Sequence, residues 1–118
     1  MASLKYTRIF TGSDGLSHFE DCEVNLDDRG RGSLISEVMT ATGLLFRRNT
    51  ADYDLDWHPA PRKQFVVNLS GTVEITASDG EVRQFGPGSI MLADDTTGKG
   101  HKSKALTEER VSLFVHVP

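Results

Sequence analysis

The stretch that decides the fold is DWHPAPRKQFVVNLSG, which runs from Asp56 to Gly71. In its second half, Phe65, Val67 and Leu69 are all apolar, whereas the positions between them are mixed. Because side chains alternate between the two faces of a strand, this pattern predicts a strand with one face in a core and the other lining a cavity. The strand closes on a glycine turn.

A histidine stands at the entrance of this strand. His58 is followed by Pro59 and Pro61, which keep the backbone out of helix and remove two amide donors. A histidine held in such a rigid segment is either a packing residue or a ligand, and the stretch alone leaves both alternatives open.

The rest of the chain predicts an all-β protein of one domain, residues 1–118. Asp79-Gly80 is a strong hairpin signal, because type I′ turns need positive φ at both central positions. The best helical candidate is a short turn near Asp14–His18. Strand-like runs with glycine or proline between them are typical of a sandwich or barrel; they are Leu34–Thr40, Leu44–Arg48, Asp54–His58, Gln64–Leu69, Val73–Ala77, Glu81–Phe85, Ser89–Ala93, His101–Ala105 and Arg110–Val117.

Composition narrows the classes of function. A net charge of −4 argues against nucleic acid as a partner, because phosphate binding needs a concentrated basic surface. No apolar run approaches the length that crosses a bilayer, and the N-terminal residues do not resemble a signal peptide. The single cysteine, Cys22, fits a reducing compartment. We therefore expect a cytoplasmic protein that binds neither nucleic acid nor membrane.

The last predicted strand suggests a partner. Its sequence VSLFVHV is apolar at nearly every position, which is typical of a strand covered on both faces. In a small barrel the second cover is often another subunit, so we expect a homodimer.

The decisive stretch resembles the first motif of the cupin superfamily, and Gly88–Ala105 resembles a stretched second motif. The resemblance extends over about residues 44–105. Within the superfamily, the chain is similar to small single-domain bacterial cupins that carry a DTTGKGH segment. It implies a jelly-roll β-barrel (a double-stranded β-helix) with a metal site in the barrel mouth, formed in the family by three histidines and a glutamate.

Carried over position by position, the resemblance implies a reduced metal site. The family's first histidine falls on His58 and its last on His101, whereas the second falls on Ala60 and the glutamate on Gln64. The glycine that opens the first motif falls on Asp52. The resemblance therefore implies one divalent ion, Zn, Fe, Ni or Mn, held by His58, Gln64 and His101, a thin donor set for such an ion.

The acidic residues before His58 raise an alternative. In an extended strand Asp54 and Asp56 share a face with His58, and Asp56 would then supply a replacement carboxylate. We favour the opposite arrangement, with the acids outside, the aromatic residues Tyr53 and Trp57 inside, and a bulge near Pro59 that separates His58 from the acids.

Other polar residues are candidates for binding a ligand at the barrel mouth. We expect Asp94 and His101 to contact a polar molecule there, together with Gln64, while Lys99 supplies positive charge for an anionic one. The alternative for Asp94, and the main expectation for Asp95, is a turn with Thr96 and Thr97 that is held by hydrogen bonds from side chains to the backbone.

These residues predict a small homodimeric cupin that holds a small polar or anionic molecule. As an enzyme it would use His58, with or without a metal, in lyase or isomerase chemistry. The alternative is a metal-free binding or sensing module without turnover, and a pure dimerisation scaffold is a third interpretation.

Overall fold

The structure, a computed structural model, describes residues 2–118. That part of the chain contains eleven strands and no helix. The strands are β1 Ala2–Thr11, β2 Ser17–Asp28, β3 Leu34–Ile35, β4 Gly43–Thr50, β5 Asp54–His58, β6 Gln64–Ser70, β7 Val73–Ala77, β8 Val82–Phe85, β9 Ile90–Asp94, β10 His101–Ala105 and β11 Glu109–His116.

The strands form two sheets with jelly-roll topology. One sheet has the order β3-β2-β1-β9-β6-β11-β4 and the other β5-β10-β7-β8. From β4 to β11 the chain crosses between the sheets at every connection except the β7–β8 hairpin, with β4, β11, β6 and β9 in one sheet and β5, β10, β7 and β8 in the other. This is the arrangement of an eight-stranded jelly roll. The expected all-β jelly-roll fold is confirmed.

The core lies between the two sheets. Its members come from the inner faces of both, and the fully buried ones are small or β-branched, as a narrow inter-sheet space requires. They are Ile9, Phe19, Ala60, Val66, Val73, Ile75, Ala77, Phe85, Met91 and Ala93. In β6 the buried positions are Gln64, Val66 and Asn68. The inner face of this strand is therefore the mixed one, and the apolar face of Phe65, Val67 and Leu69 is turned outward, opposite to the expectation.

The N-terminal hairpin is the main departure from the sequence-based prediction. The long strands β1 and β2 pair along their whole length, and β1 continues the large sheet by pairing in parallel with β9. Their many polar side chains gave no strand signal. The expected helical turn near Asp14–His18 is wrong, because these residues form the hairpin turn, in which the Asp14 carboxylate accepts a hydrogen bond from the Leu16 amide. The run predicted from Leu34 shrinks to the two-residue β3.

The turn of this hairpin also accounts for His18. Its imidazole lies 2.9 Å from an Asp14 carboxylate oxygen and 3.1 Å from one of Asp79. The hydrogen bond to Asp14, together with the two negative charges, raises the pKa of His18. His18 therefore interacts with an acid of its own hairpin turn and with one from the β7–β8 turn.

Strand β4 is the edge of the larger sheet, and most of its residues are exposed. Leu44 and Phe46 are 54% and 79% exposed, and Leu4 on β1 is 54% exposed. The homodimer inferred from apolar outer faces stays a prediction. Among residues 2–118 no helix is long and apolar enough to cross a membrane.

Candidate functional site

A cavity of about 250 Å³ lies between the two sheets. A cavity of this kind suits a small molecule. Its walls are mainly apolar, with charged and polar groups at a few points, as ligand sites usually are. The lining residues are Arg47, Tyr53, Leu55, His58, Ala60, Pro61, Gln64, Val66, Ile75, Met91, Ala93, His101, Ser103, Arg110 and Phe114.

A bulge in β5 turns His58 into this cavity. His58 lies opposite His101 in β10, but the next pair is Leu55 with Ser103, so β5 has one residue more than β10 between the pairs. Such an extra residue reverses the inside–outside alternation, and both Leu55 and His58 line the cavity. The expected bulge lies at Asp56-Trp57, just before Pro59.

The bulge also settles where the other β5 side chains lie. Asp54 and Asp56 are exposed, as expected, and do not line the cavity. Tyr53 lies inside, but Trp57 does not: Lys99 and Lys102 lie over its ring at 4.2 and 4.9 Å. The expectation for Trp57 was wrong, because the extra residue reverses the alternation just before His58.

His58 and His101 form an imidazole pair with ring centroids 4.5 Å apart. The Nδ1 atom of His58 lies 2.7 Å from the Asp56 carbonyl oxygen, and that of His101 lies 2.5 Å from an Asp95 carboxylate oxygen. A carbonyl only accepts hydrogen bonds, and so does a carboxylate, so we assign the proton to Nδ1 in both rings. Within residues 2–118 neither Nε2 atom has a hydrogen-bond partner.

Asp95 is the site residue that sequence reasoning missed. It was expected in a turn, yet it is fully buried and its carboxylate orients His101. Its other carboxylate oxygen has no hydrogen-bond partner in the described part of the chain. The signal was the pair Asp94-Asp95 at the end of a strand, where alternation turns one carboxylate out and the other in.

Gln64 lies in the same cavity as the two histidines. It is 5% exposed and is paired with Ala93 in β9. The three residues predicted to hold a metal are therefore brought to one cavity, with Ala60 beside them where the family has its second histidine.

Two arginines line the cavity without a carboxylate partner. Arg110 is 3% exposed, and its guanidinium donates to the Asn68 and Asn49 side-chain oxygens at 2.7 and 3.4 Å. Arg47 donates to the Ser112 hydroxyl at 3.1 Å. Neither makes an ion pair with any residue of 2–118. Burial, and to a smaller extent the charge of Arg47, lower the pKa of Arg110 to about 10.

The remaining predicted ligand residues lie elsewhere. Asp94 accepts two hydrogen bonds from Arg8, at 2.9 and 3.1 Å, and Lys99 lies over Trp57. Neither lines the cavity. The structure therefore does not place Asp94 or Lys99 in contact with a ligand inside the cavity.

The donors present fit a divalent ion only in part. Among residues 2–118 no three His, Cys, Asp or Glu side chains are grouped closely enough to hold a metal, so a metal would need the Gln64 amide as its third ligand. The two arginine cations in the same cavity add electrostatic repulsion. The metal prediction stays a prediction.

No family model matches the chain, and no curated protein matches it. One solved structure that it resembles is a putative ethanolamine utilization protein Q from Salmonella typhimurium LT2. The two chains share 12% identity with a TM-score of 0.43, over 100% of this chain and 98% of that one.

Proposed function

We propose that the protein binds a small organic anion in the cavity between its sheets. The observation that carries this proposal is the pair Arg47 and Arg110, two partly or fully buried guanidinium groups that face one cavity without a carboxylate. An uncompensated buried charge is costly, and a bound carboxylate would relieve that cost. Guanidinium groups also bind carboxylates through paired, charge-assisted hydrogen bonds.

The surroundings of the two arginines support a fixed anion site. The Arg47 guanidinium lies 4.2 Å from the centre of the Phe114 ring and 5.5 Å from that of Tyr53. Arg110 is held by two asparagine side chains. Because both side chains are already ordered by these contacts, little conformational entropy remains to be lost when an anion binds.

Replacing Arg110 tests this proposal. We expect small carboxylates such as butyrate to raise the Tm of the native protein above that in chloride of the same ionic strength, because a ligand that binds only the folded state stabilises it. In Arg110→Met the affinity is expected to fall about 100-fold, since truncating a buried charge partner costs roughly 2–5 kcal/mol. Titration calorimetry measures the change.

Arg48→Met is the matched control. Arg48 follows Arg47 on β4, but its side chain is 71% exposed and lies beside Glu109. Its loss removes the same formal charge and should leave carboxylate affinity unchanged. Equal losses of carboxylate affinity in both variants would mean that net charge alone explains the effect. If no carboxylate binds to the native protein, the proposal is contradicted.

A metal at the imidazole pair is a second candidate. The observation that favours it is that both Nδ1 atoms are engaged while both Nε2 atoms point to no protein partner, the orientation that second-shell contacts give to metal-binding histidines. If a metal binds there, elemental analysis of the untagged protein finds about one equivalent of Zn, Fe, Ni or Mn, lost in His101→Ala. Substoichiometric metal after reconstitution would favour metal-free binding.

A further inference from the structure

The cavity has chemically different ends. On the inner face of the larger sheet, Gln64 pairs with Ala93, and Val66, two residues further along, pairs with Phe114. Asn68 pairs with Ser112, which in turn pairs with Arg47. Gln64 and Arg47 therefore lie two inward-facing positions apart, about 13 Å measured along the strand direction.

Along the smaller sheet, too, the two ends of the cavity carry different residues. His58 and His101 are paired at one end of β5 and β10, whereas Leu55 and Ser103 are paired further toward the Tyr53 end. Tyr53 is one of the two aromatic residues whose rings lie near the Arg47 guanidinium. The histidine pair and the arginine pair therefore occupy opposite ends of one cavity.

The arginine end accepts an anion, and the histidine end accepts hydrogen bonds. In its neutral form with the proton on Nδ1, an imidazole presents the lone pair of Nε2. The Asp95 carboxylate behind His101 adds negative charge at that end, so a second anion there would be repelled. A hydrogen-bond donor suits both features.

The distance between the ends limits the length of the ligand. The Arg47 guanidinium reaches back over the Phe114 ring, one inward-facing position closer to the histidines. The remaining separation is about 7 Å along the strand direction, which roughly five or six bonds of about 1.5 Å can span. The wall between the ends is apolar, with Val66, Ile75 and Met91 in it, so it suits a short methylene chain.

From this polarity we infer that the ligand is a short carboxylic acid with a hydrogen-bond donor, a hydroxyl or an amine, at its other end. The carboxylate binds to Arg47 and Arg110, and the donor binds to Nε2 of His58 or His101. This inference rests on the proposed anion site and adds the chemistry of the opposite end.

Four matched acids test the inference by calorimetry at pH 8: butyrate, 4-hydroxybutyrate, 4-aminobutyrate and succinate. We expect at least one of the two acids with a donor to bind at least tenfold more tightly than butyrate, and succinate to bind more weakly than that acid. The tighter of the hydroxy and amino acids identifies the donor. The advantage over butyrate should fall to about onefold in at least one of His58→Ala and His101→Ala, because one of these residues binds the donor, and an advantage kept in both variants would overturn the inference.

Each result separates the inference from the proposed function. Equal affinity for butyrate, 4-hydroxybutyrate and 4-aminobutyrate would overturn the inference and leave the anion site intact. Succinate as the tightest ligand would also overturn it, because the far end would then take an anion. If none of the four acids binds, the proposed function fails and the inference fails with it.

Discussion

Gly100→Ala is expected to lower the free energy of unfolding by about 4 kcal/mol, in the range of severe single substitutions. A Cβ at this position would lie within 1.9 Å of the His58 carbonyl oxygen and 2.4 Å of the Pro59 nitrogen. These are backbone atoms of the segment that holds the site, so they cannot rotate away. The φ of +75° adds strain for any residue with a side chain. Chemical denaturation measures the change.

Gly15→Ala is the matched control for this substitution. Its φ is +79°, nearly the same, but no atom lies within 4 Å of an added Cβ. The cost there should be only the backbone term, about 1 kcal/mol. Equal losses in the two variants would mean that the close approach of Gly100 to His58 does not matter.

Asp95→Ala is expected to lower the free energy of unfolding by about 3 kcal/mol, because it leaves the buried Nδ1–H of His101 without an acceptor. Asp95→Asn keeps an oxygen that can accept this hydrogen bond, so we expect a loss of about 1 kcal/mol. Denaturation curves of both variants measure the difference. Similar stabilities for Ala and Asn would show that the Asp95–His101 hydrogen bond, 2.5 Å long, contributes little.

The jelly roll could be predicted from the sequence because its strands carry a local signal. The eight predicted runs from Leu44 to Val117 correspond to β4 through β11, since apolar alternation and glycine or proline turns mark each one. The β1–β2 hairpin lacked that signal. Much of β2 is charged, and its stability comes from pairing with β1 and from ion pairs such as Arg8 with Glu20, which are long-range or side-chain contacts that no local pattern shows.

The candidate site was predicted less completely, for a similar reason. His58, Gln64 and His101 were found through a motif, and the structure brings them to one cavity. Asp95 and Arg110 were missed as site residues. The importance of each depends on which face of its strand or loop points inward, and that of Arg110 depends also on the absence of a carboxylate nearby. The face that a residue occupies follows from strand register, and the bulges at Asp56-Trp57 and opposite Val111-Ser112 shift that register by one residue.

Strand β4 carries Arg47 at the edge of the larger sheet, with only β11 beside it. Edge strands open locally more easily than central ones, so their amide protons exchange faster with solvent. An anion bound to Arg47 would therefore stabilise β4, an easily opened strand, in its position beside the barrel interior. Occupancy of the cavity would then slow amide exchange along β4 more than in β6 or β9, and ligand affinity would depend partly on how readily this edge opens.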